Sequence, residues 1–246
     1  MTIQALDITN GIVLIIFCAL NIYVGTRISL KYFKYKQREL LLVGLVWIFL
    51  TCPWYPASIS FILYLLTGNS LTNIPYFIIG NIFIPIAVIF WMITLKYFIF
   101  KERKKLIMIL SGVYGLIFYI IFFLLLGINP NLIGQLKGLT DVQYGMFIVV
   151  YVLSILIILM GTGFLFTRES LKSEDLEIRL KGKLIFIAFI LFTIGSGLDT
   201  SIPLNFVTLP IIRGFEIASA IVFYFGFFLP KWFKNFIKKE GSLKED

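Results

Sequence analysis

The chain has 246 residues, 59% of them hydrophobic and 14% charged, with a mean hydropathy of +0.96 and a formal net charge of +9. A soluble domain carries about 25% charged residues, so the composition excludes an ordinary water-soluble globule. The positive charge does not mark a nucleic-acid partner, because the basic residues flank the ends of apolar runs, as membrane orientation signals do.

Seven apolar runs of spanning length follow one another. The first, about residues 8–29, holds Cys18 and Asn21. It is too long for a signal peptide and lacks a basic segment before it, so it is expected to stay as a spanning helix. The second, about 40–66, contains Cys52 and the kink-forming stretch Pro53-Trp54-Tyr55-Pro56, read as core and not as a binding lid. The third, about 73–100, carries Asn81 and Pro85. The fourth, about 106–126, has Gly112 and Gly115 on one stripe. The link 128–143 includes Asn129-Pro130-Asn131 and several glycines, which predicts a turn-rich loop.

The fifth run, about 144–166, includes Tyr151, Ser154, Gly161 and Gly163, the glycine pairs marking close helix contacts. The charged stretch before the sixth run is expected to extend it as a helix, with Ser173 as N-cap and Glu174, Asp175 and Glu177 in its first turn. The sixth run, about 184–199, ends in Gly195-Ser196-Gly197-Leu198-Asp199. The seventh, about 206–230, places Arg213 and Glu216 three residues apart on one helix face. Beyond it, residues 231–246 mix Trp232, Phe233, Phe236 and Ile237 with lysines, as expected for an interfacial tail on an anionic cytoplasmic leaflet.

These runs predict an all-α, seven-helix transmembrane bundle over residues 1–230, a single domain followed by the tail. Basic residues gather in alternate connections: Arg27 to Arg38, Lys96 to Lys105, Arg168 to Lys183, and the tail. The other connections hold only Lys137. Positive residues stay cytoplasmic, which puts the N-terminus outside and the C-terminus inside. The location expected is a cell membrane, crossed several times.

Chemistry is narrowed by absence. The chain has no histidine, which removes histidine-based acid–base catalysis and the commonest metal ligand. The seventh run has no lysine for a retinal Schiff base, and the chain lacks the paired acids that aspartyl proteolysis requires: the spacing of Gly195–Asp199 is off by one residue, and Asp7, Asp141, Asp175 and Asp246 fall in links or termini. Cys18 and Cys52 read as small hydrophobes with no disulfide framework. The expectation is a non-enzymatic protein without cofactor or metal.

A charged pair in hydrocarbon is costly, about 2.5–3.5 kcal/mol for a central Arg, so Arg213 and Glu216 must face the bundle interior. Asn81 lies roughly 12 Å below the outer face at 1.5 Å per residue, Arg213 at a similar depth, and Asp199 at the outer lip. With Tyr151 they outline an outward-facing polar pocket for a small anionic or zwitterionic ligand, Arg213 meeting its acid group. The alternative is a structural clamp joining the seventh helix to Asn81 or Asp199.

Seven crossings, an outside N-terminus, the cytoplasmic run 168–183 leading into 184–199 and the ending FYFGFFLPKWFK resemble the seven-helix sensory input regions of prokaryotic receptors, including histidine kinases. The resemblance implies a sensor that signals through a separate cytoplasmic partner. A small transporter or channel subunit, with Arg213 and Glu216 as substrate or proton site, is the competing expectation.

Overall fold

A computed structural model describes residues 3–95 and 104–230. The tail and the second basic connection, apart from Lys104 and Lys105, lie outside the described residues. Seven helical spans are each long and apolar enough to cross a membrane. The first is α1 (Ala5–Tyr35), the fourth α6 (Lys104–Ile128), the fifth α7 (Met146–Ser170), the sixth α8 (Leu176–Ser201) and the seventh α9 (Thr208–Phe227). The second is divided into α2 (Arg38–Leu50) and α3 (Tyr55–Thr67), and the third into α4 (Asn73–Asn81) and α5 (Ile84–Leu95).

Both divisions come at proline, as expected from a residue that lacks an N–H and crowds the preceding turn. A short 3₁₀ turn, Cys52–Trp54, carries the second span past Pro53, and Pro85 follows the break at Ile82. Elsewhere the helices outrun the apolar stretches. The charged segment before the sixth run is helical as expected, but the cap is Asp175, whose side chain accepts from Glu177 N at 2.7 Å. Ser173 instead accepts from Asp175 N, one step upstream.

Packing closes the spans into a ring. Contacts run from α9 to α1, α2, α5, α7 and α8, and α8 returns to α9. The fourth span stands outside this ring, with Phe118 and Phe122 turned inward. Small residues set the closest approach, at the α1–α2 crossing. A Cβ on Gly25 or Gly44 would collide with the other's carbonyl oxygen. Of the glycine pairs on α6 and α7, only Gly115 and Gly163 face a neighbour, against Pro85 and Phe189; Gly112 and Gly161 meet open space.

The link after α6 is not simply a loop. It forms an antiparallel hairpin of β1 (Gly134–Lys137) and β2 (Asp141–Tyr144), with Gly134 opposite Tyr144 and Lys137 opposite Asp141. Gly138 supplies the left-handed turn residue, φ 75°. The hairpin is tucked in: Ile133 and Leu139 are buried, and Asp7 Oδ1 of α1 accepts from the backbone N–H groups of Leu139 at 3.0 Å and Thr140 at 3.3 Å. At the opposite end Lys31 Nζ donates to Phe227 O at 2.7 Å, where a cation suits the C-terminus of α9. The start of α1 and the end of α9 therefore lie at opposite ends of the bundle.

Candidate functional site

Arg213 lies five residues into α9, as Asn10 does into α1, so both sit about 7–8 Å along their helices from the hairpin end. The Asn205 side chain opens α9 by accepting from Val207 N and Thr208 N, which fixes the helix start and hence Arg213's height. Its side chain is 3% exposed, and all three guanidinium nitrogens are engaged. Nε donates to Asn10 Oδ1 at 3.0 Å, one terminal nitrogen meets Glu216 Oε2 at 2.6 Å and the other meets Asp199 Oδ1 at 3.0 Å.

The network extends in two directions. Trp54 gives its indole N–H to Asp199 Oδ2 at 2.9 Å, which locks the kink of the second span onto the end of α8. Asn10 Nδ2 donates to Thr140 O at 3.1 Å, and Thr140 Oγ1 donates to Asp7 Oδ1, which joins the cluster to the hairpin. Glu216 is completely buried and its second oxygen, Oε1, accepts no hydrogen bond. Room for it exists because Gly195 of α8 has no side chain: a Cβ there would stand 2.8 Å from Glu216 Cγ.

Beside this cluster lies a cavity of about 40 Å³, lined by Trp54, Tyr76, Asn81, Asp141, Tyr144, Ser196, Asp199 and Arg213 among others. Ser196 Oγ and Tyr144 Oη are buried without a hydrogen-bond partner. Asp141, on the hairpin, has its carboxyl raised above the usual carboxylate range, first by burial and then by the like charges of Asp199 and Asp7; the Val142 N–H and Arg213 oppose the shift. Burial raises the Tyr144 phenol too, with Asp199 and Asp141 adding to the effect.

The expected residues divide. Arg213, Glu216 and Asp199 form one cluster, and Asn81 shares the cavity wall. Asn81 does not bond Arg213, however: its amide donates to Phe77 O of its own helix at 2.9 Å. Tyr151 is turned away from the cavity lining, its ring stacked on Phe118 at 4.0 Å and Tyr114 at 5.0 Å, because α7 uses that face to hold α6. Asn10, Trp54, Asp141 and Ser196 belong to the site although the sequence did not mark them out. For Asn10 the available signal was a polar residue near the outer end of the first apolar run, the same end as Arg213. For Asp141 there was none, since only the hairpin brings it inward.

Fold and site define an all-α bundle of seven membrane-length helices with a buried ion cluster at the end that carries the hairpin. No protein-family model, no curated protein and no solved structure matches the chain.

Proposed function

We propose that the protein is a non-enzymatic, multi-pass sensor of a cell membrane, with its N-terminus and hairpin outside and its C-terminus in the cytoplasm. A small ligand enters the cavity beside Arg213, and a separate cytoplasmic partner receives the signal. The orientation rests on charge. Among the described residues, the hairpin end offers Lys137 as its surface cation, whereas the connections at the other end carry Arg27, Lys34, Arg168, Lys172 and their neighbours.

One observation carries the sensor reading: a continuous column of aromatic rings joins the cavity to the basic end of the bundle. Trp54, on the cavity wall, lies 6.0 Å from Phe192, which lies 5.6 Å from Trp47. Trp47 stacks on Phe223 at 3.6 Å with the planes 6° apart, and Phe223 lines a cleft of about 550 Å³ at the basic end. Cavity and cleft share no lining residue, so the column separates them as well as connecting them. A ligand that shifts the Asp199–Trp54 contact pushes on packed rings, and packed cores move between discrete arrangements instead of yielding continuously. The cleft at the far end is where that movement meets a partner.

The transporter reading has one observation in its favour. Spans two and three are both broken beside the cavity, as the discontinuous helices of transporters are at their substrate sites. Reconstitution separates the two. Saturable binding of a ligand to proteoliposomes without counterflow supports a sensor; counterflow abolished by Glu216→Gln replaces the sensor with a transporter.

A further inference from the structure

The charges around the cavity do not balance. Asp141 and Asp199 stand on its wall and Glu216 lies behind Arg213, three acidic side chains against one guanidinium. Arg213 is also fully turned toward protein groups, with each nitrogen committed to Asn10, Glu216 or Asp199. An incoming acid group would have to displace one of those partners while facing the remaining carboxylates. An incoming cation displaces nothing.

Other groups on the wall agree. Ser196, 3% exposed, presents an Oγ with no partner, and so does Tyr144 with its Oη. Both are oxygens able to accept from an N–H donor. The rings of Trp54, Tyr76 and Tyr144 complete the lining, and aromatic faces attract cations within about 6 Å. Among the described residues no three acidic or cysteine side chains converge as metal ligands, which favours an organic cation over a divalent ion.

Size narrows the class. The 40 Å³ chamber is too small for a whole metabolite but takes an ammonium group. A second cavity of about 270 Å³ adjoins it, with Thr140 and Asp141 in the walls of both, and is lined by Asp7, Asn10, Lys137 and Leu204. The geometry points to a small primary amine as the ligand, its protonated head held between Asp141 and Asp199 against the aromatic rings and its body in the outer cavity. The assignment rests on the sensor reading for the cavity's purpose and reverses the ligand charge that Arg213 alone implies.

The test is thermal unfolding of the purified protein in detergent with butylammonium chloride, potassium chloride or sodium acetate at equal ionic strength. Butylammonium is expected to raise Tm saturably, and neither potassium nor acetate to do so. Asp141→Asn, whose side chain keeps an oxygen for the Val142 N–H, is expected to weaken the butylammonium response at least tenfold, and Ser196→Ala about threefold. Stabilisation by potassium equal to that by butylammonium overturns the amine. Stabilisation by acetate in its place overturns the sign of the charge while leaving a ligand cavity standing. An unaltered butylammonium response in Asp141→Asn overturns the site. No response to any of the three overturns the amine, while the proteoliposome binding assay decides the small-ligand reading separately.

Discussion

Replacing Arg213 by Met tests whether the ion cluster is organised around the guanidinium. The substitution keeps the volume and removes the charge, and it strands Glu216 at 0% exposure and Asp199 at 19%. Each contact, at 2.6 and 3.0 Å, is worth roughly 5–6 kcal/mol of attraction at an effective dielectric of about 20. Desolvation offsets most of this, and removal of one partner from a buried pair costs about 3–5 kcal/mol. Arg213→Met is therefore expected to destabilise by about 3–5 kcal/mol. Glu216→Leu should cost at most about 2 kcal/mol, because Arg213 retains Asp199 and Asn10. The double variant should be more stable than Arg213→Met alone, since only Asp199 is then stranded and it keeps the Trp54 N–H. Helicity followed by circular dichroism through an SDS titration measures all three. Additive losses, or a Glu216→Leu loss as large as that of Arg213→Met, would refute the reasoning.

Three further outcomes are expected. Burial raises the Asp141 carboxyl above its unfolded value, so the folded chain holds that proton more tightly than the unfolded chain does. Stability therefore falls as pH rises from the unfolded value through the folded one. Asp141→Asn should remove this loss and raise Tm at neutral pH by a few degrees, with little change below the unfolded value; a lower Tm at neutral pH contradicts it. Gly44→Val should cost about 1–3 kcal/mol by forcing α1 from α2, and a neutral result in the same titration would show that the crossing is loose. Lys137→Cys should react with an impermeant thiol reagent on intact cells and Lys172→Cys only after lysis, with a low background because Cys18 and Cys52 are buried; the reverse pattern inverts the proposed orientation.

The spans were legible because hydrophobic length is a local property. The proline breaks were legible for the same reason, since Pro53 and Pro85 act on their own turns. Glu216 and Asp199 could be assigned to Arg213 because a buried cation needs an acid and few were within reach. Asn81 failed as an Arg213 partner because depth along a helix does not fix the direction of a side chain, and its amide found the Phe77 carbonyl one turn back. Tyr151 failed similarly, its rotation set by the aromatic stack with α6. Asp7 and Asp141 were set aside as loop residues. What brought Asp141 inward, and laid the hairpin over Asp7 in the first turn of α1, was strand pairing between two four-residue segments, a contact between backbones that hydropathy does not record.

The aromatic column also has an optical consequence. Three of the four tryptophans, Trp47, Trp54 and Trp91, sit within or against it, and Trp91 meets Phe189 edge-on at 5.2 Å. Their emission thus samples the line between the cavity and the cleft. Trp54 touches a carboxylate, Trp47 a face-to-face ring and Trp91 the hydroxyl of Thr162, so each indole reports a different local environment. The chain contains its own set of fluorophores along this line, and single Trp-to-Phe replacements would show where along it a disturbance stops.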